Sequence, residues 1–463
     1  MTNPQERPTN VRLMVFALGC GTSWILYLHR YTFALIKPKL QEEWELSNTD
    51  LGVLDSAFSI CYSLFQFPAG VAADVFGVHL FLGIIILLWS LALGLHAWAP
   101  NSGALWYVRA LFGASQAGAY ASVSRLSRTW FPASTRTTAQ GWMGVFSGRI
   151  GGASANILFA ALIIGVMGFD WRTAICIFAG LGIAHGAAFL ILFRSSPSRH
   201  PWTNRAEVEL IEERPPKAAS ESTPEETADK TTIRQILGRM SPRSIVNLFS
   251  IVLTSTLSTI ADNIFLAWIP LFLSKIHGLA FMEMGLYSSL PLLGGALGGA
   301  FGGFLNDRVI LRTGNRRWAR SLIGLGGKGT AGVLLVIALL ASYDNPYRFC
   351  ASLFFVKFFA DISLATRWGA VTDVSGNASA SVFAFNNSLA GLGGILAPIM
   401  YGIVLDDYIW KTVFGTVLDE EYKWRAVFII GGVMYGLCAA SWLLIDCSIP
   451  LVRKESAGEA AGD

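Results

Sequence analysis

Long apolar runs are the feature that most constrains what this chain folds into. A run of about 20 mostly apolar residues is long enough to cross a lipid bilayer as one helix. Reading the 463 residues in this way predicts twelve spans. We number them spans one to twelve, near 12–36, 52–72, 78–98, 104–127, 138–166, 172–194, 244–274, 284–305, 321–342, 349–371, 378–405 and 425–449. The chain is therefore predicted to be an all-α, polytopic protein embedded in the lipid bilayer.

The composition supports a membrane protein and argues against other classes. Charged residues make up 14% of the chain, whereas soluble domains carry about 25%. A nucleic-acid partner is therefore not predicted. The six cysteines lie in or beside apolar runs and form no CxxC pair, which favours packing over disulfides or metal ligands. We predict no cofactor, no metal site and no enzymatic activity.

The hydrophilic stretch 195–243 divides the chain into two halves. It contains Pro215-Pro216 and the acidic run 221–226, and we expect a solvated linker with a short surface helix around 207–213. The predicted organisation is an N-terminal tail 1–11, a six-helix bundle 12–194, the linker, a second six-helix bundle 244–450 and a tail 451–463. The polar first residues and the long first apolar run argue against a cleaved signal peptide.

Basic residues predict the orientation in the membrane, because loops rich in Lys and Arg stay in the cytoplasm. Such residues follow spans four and eight and recur in the C-terminal tail: Arg125, Arg128, Arg136, Arg308, Arg312, Arg316, Arg317, Arg320, Arg453 and Lys454. Both termini and the linker are therefore predicted to be cytoplasmic, in a multi-pass protein of the cell (inner) membrane.

Matched loop motifs in the two halves indicate an internal repeat. The motif residues are Gly70, Asp74 and Gly77 after span two, and Gly303, Asp307 and Arg308 after span eight. A six-plus-six repeat is typical of carriers in which two bundles enclose a central site and expose it to each side in turn. We expect the aspartates to cap a helix or to pair with an arginine when the cytoplasmic gate closes. The first copy lacks the basic residues of the second.

Ordered motifs along nearly the whole chain resemble the major facilitator superfamily, and within it the anion:cation symporter branch of sugar-acid permeases and sialin-like carriers. The motifs are Tyr27-Leu-His-Arg30, Ser56-Ala-Phe58, Gln66-Phe-Pro68, Arg109 to Gly113, Trp130-Phe-Pro132, Ser198 to Pro201 with Ala206-Glu207, Trp268-Ile-Pro270, and Asn386-Asn387 through Gly393-Gly394 to Pro398. The resemblance implies two six-helix bundles and transport of a small organic anion with a coupling cation, a proton or sodium. We further predict a monomer.

The resemblance also implies residues that bind the substrate. Arg30 would contact a substrate carboxylate in the central cavity, with Tyr27 on the same helical face; the alternative is an arginine that reaches to the outer interface. Proton-coupled carriers of the branch have an arginine and a glutamate in span four, where this chain has Arg109 and the non-titrating Gln116. They also have an aspartate where this chain has His29. The remaining implied contacts are Trp368, Asn386 and Asn387.

Charged residues inside membrane spans are costly and are therefore functional candidates. Besides Arg30 and Arg109 they are Asp55, Arg149, Asp262, Lys328, Lys357, Asp361 and Arg367. Arg149 is either a second anion clamp or the partner of Asp55 or Asp361. The spacing of Lys357 and Asp361 favours an ion pair within span ten. His29, Asp55 and Asp361 are the candidates for proton coupling, because histidine titrates near neutral pH and the two acids lie within spans.

Together these features predict a secondary active transporter for a small organic anion, a sugar acid or another carboxylate, coupled to a proton. Arginines without a neutralising acid need an anionic substrate, and a guanidinium binds a carboxylate through two parallel hydrogen bonds. Because both usual coupling acids are absent, an exchanger or a uniporter is the alternative. A sensor that binds without transport is a further alternative, although the linker contains no recognisable signalling domain. A primary pump is not predicted, because the chain lacks a GxxxxGK[ST] loop.

Overall fold

The computed structural model describes residues 7–212, 242–375 and 379–449, and in these ranges the chain forms helices and turns without a β-strand. Spans one to six consist of Val11–Trp44, Asn48–Phe76, Val78–His96, Ser102–Gln116 with Ala119–Trp130, Ala133–Phe146 with Gly148–Ala155 and Asn156–Val166, and Trp171–Leu192. Spans seven to twelve consist of Pro242–Asn263 with Ile264–Trp268 and Ile269–His277, Phe281–Thr313, Arg316–Ala341, Pro346–Ser375, Ser379–Leu405, and Glu420–Ser441. Within these ranges, four short helices lie outside the spans: Pro197–Arg199, Arg205–Glu212, Asp407–Phe414 and Trp442–Leu444.

The predicted fold of twelve spans in two six-helix bundles is confirmed, although several span ends differ from the prediction. Among the described residues, ten helices are long and apolar enough to cross a membrane. Span two is more polar, and span four is interrupted between its two helices. Span one continues to Trp44 instead of ending near residue 36, so that Lys37 lies inside it.

The predicted surface helix of the linker is present as Arg205–Glu212. The prolines Pro215-Pro216, the acidic run 221–226 and the tail 451–463 with its basic residues lie outside the described residues. The two predicted tails and most of the predicted linker therefore stay predictions.

Spans eight and ten pack through three glycines spaced four residues apart. A Cβ atom added to Gly294, Gly298 or Gly302 would lie 2.0 to 2.1 Å from a backbone carbonyl oxygen of span ten. Those oxygens belong to Phe354, Phe358 and Ile362. Small residues that let two backbones approach are a main source of helix association in membranes, where lipid removes the hydrophobic driving force. The two spans therefore form a tightly packed pair inside the C-terminal bundle.

The start of span one is capped by an acid from the linker helix. The buried Glu207 carboxylate accepts hydrogen bonds from the backbone N–H groups of Val11 and Arg12 at 3.2 and 3.0 Å. The Arg12 guanidinium pairs with the same carboxylate at 3.3 Å, and the Thr9 hydroxyl donates to it. Because the first N–H groups of a helix lack partners within the helix, a carboxylate there is stabilising. These bonds fix Arg205–Glu212 against the N-terminal bundle.

The two bundles meet in the half of the membrane that lies away from residue 11, which we call the far side; residue 11 defines the N-terminal side. Spans one and seven, two and eleven, and five and eight form the contacts. At the far side the Asp406 carboxylate accepts backbone hydrogen bonds from Asn48 and Thr49, each at 2.9 Å. The Lys37 ammonium donates to the Ala267 carbonyl at 2.9 Å, across the same interface.

Between the described residues, hydrogen bonds and ion pairs that join the two bundles run from mid-membrane to the far side. These bonds lie away from the N-terminal side, and we infer from their distribution that the cavity between the bundles opens on the N-terminal side.

Candidate functional site

Arg30 lies near the middle of span one inside a cage of aromatic rings. Its guanidinium carbon is 4.7, 4.9 and 4.7 Å from the ring centroids of Tyr27, Phe58 and Tyr62. Nε and Nη2 donate to Oε1 of Gln116 at 3.2 and 3.1 Å. Among the described residues, no carboxylate lies within 4.0 Å of this guanidinium. Ring faces attract a cation without neutralising it, so the cage suits an anion that arrives from outside.

Tyr27 and Gln116, two of the implied substrate contacts, both lie beside Arg30, whereas Arg109 does not. The Tyr120 hydroxyl donates to the Tyr27 hydroxyl at 2.8 Å, and Nε2 of Gln116 donates to the Leu26 carbonyl at 3.3 Å. The second bond directs the Gln116 oxygen toward Arg30. The guanidinium therefore points into the bundle interior.

Arg109 lies apart from this cage, in what we call the outer ion cluster: Lys37, Asp55 and Arg109. Nη2 of Arg109 and Nζ of Lys37 bind the Asp55 carboxylate at 2.9 and 2.5 Å. Nε of Arg109 donates to the Leu54 carbonyl at 3.1 Å. These bonds join spans one, two and four near the far side. Asp55, one of the predicted coupling candidates, is thus already held by two cations.

A second group of charges, which we call the central ion cluster, joins spans five, seven, nine and ten. Its members are Arg149, Asp262, Lys328, Lys357, Asp361 and Arg367. Nε and Nη2 of Arg149 donate to the two Asp361 oxygens at 2.6 and 3.0 Å, which ties the N-terminal bundle to the C-terminal bundle. Lys357 pairs with Asp361 at 3.0 Å, as its spacing predicted, and also with Asp262. Among the described residues, no group of three or more His, Cys, Asp or Glu is placed to hold a metal ion.

His29 turns away from Arg30 although the two residues are adjacent. The buried imidazole is hydrogen-bonded through Nε2 to the Phe178 carbonyl of span six at 2.8 Å. A Cβ atom added to Gly182 would lie 2.4 Å from the imidazole Cε1, so span six covers the ring closely. Successive side chains on a helix point about 100° apart. His29 therefore lies between spans one and six and not in the Arg30 cage.

The candidates in spans ten and eleven occupy different environments. Trp368 is 53% exposed. Asn386 is buried, and its Oδ1 has no hydrogen-bond partner among the described residues. Asn387 is exposed, one helical turn before Gly391, where an added Cβ would lie 2.8 Å from the Ser63 hydroxyl of span two. Because residues four apart share a helix face, Asn387 faces the gap between the bundles.

The two loop motifs lie on the N-terminal side and differ in their ion pairs. Asp74 pairs with Arg125 of span four, so a neighbouring helix supplies the base that the first motif lacks. Asp307 accepts a hydrogen bond from Nδ2 of Asn306 at 3.3 Å, and no ion pair involves Asp307 within the described ranges. The guanidinium carbon of Arg308 lies 5.9 Å from the ring centroid of Phe304, one turn earlier in the same helix. The first aspartate is thus bound inside its bundle, whereas the second is available.

Sequence reasoning missed three contributors to these arrangements. Lys37 follows Arg30 by seven residues, a two-turn spacing that places both on one face, but the predicted span ended before it. Tyr62 follows Phe58 by four residues and shares its face for the same reason. The residues around Asp406 do not indicate that it caps span two, because its partner Thr49 lies 357 residues earlier in the chain.

Comparison with known families agrees with this architecture. The family model of the Major Facilitator Superfamily matches residues 19–398, well over half of the chain. The chain therefore belongs to the major facilitator superfamily and is a membrane transporter, not an enzyme. The predicted family resemblance is confirmed.

Two curated relatives extend this similarity over nearly the full length. A probable sulfoacetate transporter from Cupriavidus necator is 27% identical over 455 residues, which covers 98% of this chain and 97% of the relative. A hexuronate transporter from Bacillus subtilis is 26% identical over 461 residues, with 97% of each chain covered.

A solved structure supports the fold. It is a bacterial homologue of the human lysosomal transporter Spinster in an inward-facing, unoccupied conformation, and it superposes with a TM-score of 0.70 at 15% identity. The match covers 96% of this chain and 98% of that chain.

Proposed function

We propose that this protein is a secondary active carrier that moves a small organic anion across the membrane by alternating access. Arg30 carries the proposal, because it holds a positive charge near the middle of a membrane span without an acidic partner among the described residues. Charge at such a depth is costly unless something neutralises it. A substrate carboxylate or sulfonate supplies that charge, and its oxygens match the guanidinium fork. The relatives named for sulfoacetate and hexuronate support the same substrate class.

The carrier is proposed to act as a monomer in the cell inner membrane with the N-terminal side in the cytoplasm. Basic residues at the ends of spans four, eight and nine on that side support this orientation. The open cavity would then face the cytoplasm, and Tyr27, Gln116 and Asn387 would contribute polar contacts to the substrate.

Uptake into proteoliposomes tests the function directly. The purified protein is given a panel of labelled organic acids, with and without imposed proton and sodium gradients. Arg30→Ala should weaken binding of the transported acid by about 10- to 100-fold, since charge-assisted hydrogen bonds are lost. Arg30→Lys should be nearly as damaging, because an ammonium lacks the planar fork. Unchanged affinity in Arg30→Ala, or no transport of any acid by the unmutated protein, would refute the proposal.

Coupling to protons is proposed to run through Asp361. Its carboxylate binds Arg149 across the two bundles, so a proton on Asp361 would leave Arg149 with the longer 3.6 Å contact to Asp262 and make it more accessible to an anion. Deprotonation would restore the tie once the anion has left. Asp55 pairs with two cations of its own bundle, and His29 hydrogen-bonds to the backbone of span six. In these contacts neither residue joins the two bundles, so its titration would not loosen the interface between them.

Counterflow and accumulation separate the three coupling candidates. Asp361→Asn should retain exchange of labelled for unlabelled substrate but lose accumulation driven by a proton gradient. His29→Gln and Asp55→Asn are the matched controls, and His29→Gln should still accumulate substrate. Loss of accumulation in His29→Gln alone would transfer the coupling role to His29.

An exchanger without proton coupling is the second candidate. Gln116 favours it, since an amide bonded to Arg30 cannot carry a proton through the transport cycle. In that case an imposed proton gradient leaves uptake by the unmutated protein unchanged, while unlabelled substrate on the opposite side accelerates it.

A further inference from the structure

A groove runs between spans eight and nine in the half of the membrane on the N-terminal side, with span ten as its floor. Both spans pack directly on span ten. An added Cβ atom would lie 2.1 Å from the Ile362 carbonyl oxygen at Gly302, and 2.8 Å from the Phe359 carbonyl oxygen at Gly327. The groove between the two spans has a volume of about 390 Å³. Side chains from all three spans line it: Leu305, Val309, Thr313, Trp318, Leu322 and Phe359.

The groove has the length and the lining of a site for a lipid acyl chain. Leu322 and Trp318 in its wall are 54% and 46% exposed, so the groove opens toward the surrounding bilayer. Trp318 and Thr330, which both line it, lie twelve residues apart on span nine. At the rise of a helix this distance is roughly 18 Å, and the hydrocarbon of one leaflet is about 15 Å thick.

The protein itself leaves part of the groove unfilled. Gly326 of span nine lines the groove, and a Cβ atom added there would meet no atom within 4 Å. The side chains around an unfilled apolar space lose packing contacts that a neighbouring molecule can restore. In a bilayer, the molecule available for this is a lipid.

Basic side chains at the N-terminal end of the groove favour a lipid with an anionic headgroup. Arg312 is exposed, follows the lining residue Val309 by three positions, and forms no ion pair within the described part of the chain. Arg316, in the loop after span eight, is also exposed and lies 4.0 Å from Asp373, at the limit of an ion pair. Asp307 precedes Val309 by two positions and therefore lies on the opposite face of span eight.

We propose that this groove binds an anionic phospholipid, with one acyl chain between spans eight and nine and the phosphate on Arg312 and Arg316. The groove alone does not select among lipids, because the chains of the bulk bilayer are as apolar as its walls. Selection comes from the two guanidinium groups, since basic residues at the membrane surface attract anionic headgroups and a guanidinium fits phosphate oxygens. The site lies outside the central cavity and does not depend on which anion the carrier moves.

Native mass spectrometry of the purified protein in detergent tests the proposal. The protein is mixed with dioleoyl phosphatidylglycerol or with dioleoyl phosphatidylcholine, which have the same acyl chains and differ in headgroup charge. Phosphatidylglycerol should bind about fivefold more tightly or better, the effect of one basic residue near an anionic lipid. Equal affinities would overturn the proposal, and so would displacement of the bound lipid by inorganic phosphate. A protein dimer without bound lipid would show that a second copy covers the groove, which also overturns it.

Two pairs of variants locate the lipid in the groove. Gly326→Leu fills the groove and should weaken binding of phosphatidylglycerol by about fivefold or more. Gly436→Leu is its control, because Gly436 is exposed on span twelve and an added Cβ there also meets no atom within 4 Å. Arg312→Gln should remove about fivefold of the preference for phosphatidylglycerol. Its control is Arg348→Gln, at an exposed arginine near the far-side start of span ten.

The two pairs remain informative separately. Arg312 is exposed at the end of a helix, so its variant decides the question if Gly326→Leu fails to fold. Both control variants should bind the two lipids as the unmutated protein does. An unchanged preference in Arg312→Gln, or an equal loss in Arg348→Gln, would overturn the assignment of the headgroup site. Unchanged binding by a folded Gly326→Leu protein would overturn the assignment of the chain to the groove.

Discussion

At the scale of single residues, the environment of Arg30 attracts a cation, while no residue in the described part of the chain supplies a counter-ion. Three ring faces and one amide oxygen surround the guanidinium. An ionised acid in the place of Gln116 would instead form an ion pair with Arg30 and neutralise its charge. In the proposed carrier, the neutral amide therefore leaves the charge of Arg30 available to a substrate.

Gln116→Glu tests this argument and gives a pH dependence with a definite sign. Near neutral pH the ionised glutamate should compete with substrate for Arg30 and lower its affinity by about tenfold. On acidification the glutamate takes up a proton, so the affinity should recover. Substrate competition assays at several pH values measure this.

The control for this variant is Gln140→Glu, which adds an acid to the same bundle where Gln140 bonds the Ser127 hydroxyl. Its affinity should not change. The same affinity at every pH in Gln116→Glu would contradict the role given to the amide.

The residue scale also shows what the sequence could predict about the site. Helical spacing correctly predicted the ion pair of Lys357 with Asp361. Motif position indicated Arg30 and Gln116, which the structure places in contact, while their role in binding stays a prediction. Adjacency to Arg30 does not place His29 in the same cage, because one step along a helix turns the side chain toward the neighbouring span. A pattern of neighbouring residues does not indicate partners that are distant in the chain, such as Phe178 for His29.

At the scale of helices, two spans receive their N-terminal caps from distant parts of the chain. Glu207 caps span one, and Asp406 caps span two, where Ser47 already provides a local capping box with Asp50. Local cap signals are read within three or four residues. The sequence therefore predicted the spans and the short linker helix but neither distant cap.

Glu207→Ala should destabilise the protein by about 1–2 kcal/mol, because it leaves the first N–H groups of span one and the Arg12 guanidinium without their acceptor. Thermal unfolding in detergent should show a melting temperature lower by a few degrees. Glu209→Ala is the control and should change little, because Glu209 is exposed on the same helix and, among the described residues, pairs with Arg205. Equal melting temperatures for the two variants would exclude a capping role for Glu207.

At the scale of the whole molecule, the arrangement of the bundles is one of several that the same twelve spans allow. The sequence pattern predicts which helix faces are apolar. The same faces can pack in a form open on the N-terminal side and in a form open on the far side, so the pattern does not distinguish these two forms. The side on which the bundles meet depends on contacts such as Asp406 with span two, which pattern reading does not detect.

Asp406→Asn should shift the population toward a form that is open on the far side, because a neutral amide binds the start of span two more weakly than a carboxylate. Distances between spin labels on Lys39→Cys and Lys411→Cys report this change, in a background without Cys61 and Cys176. Asp407→Asn is the control, since Asp407 pairs with Lys423 of its own bundle. Longer distances should appear only in the Asp406 variant, and identical distributions in both would contradict the prediction.

On the N-terminal side, the two loop-motif aspartates are expected to differ in their effect on transport. Asp307→Asn should slow transport more than Asp74→Asn at equal expression, because Asp74 is bound by Arg125 inside its bundle whereas Asp307 is available to the opposite bundle. Initial uptake rates measure this. Equal slowing by the two substitutions would show that the motifs act alike.

The bonds of Asp406 at the far end and of Arg149 at mid-membrane form two barriers in series. If one opens by thermal fluctuation, the other still separates the two compartments. In the proposed carrier, a solute beside Arg30 therefore reaches the far side only when both sets of bonds are broken. Each set blocks the path while the other is broken, so neither has to be strong by itself.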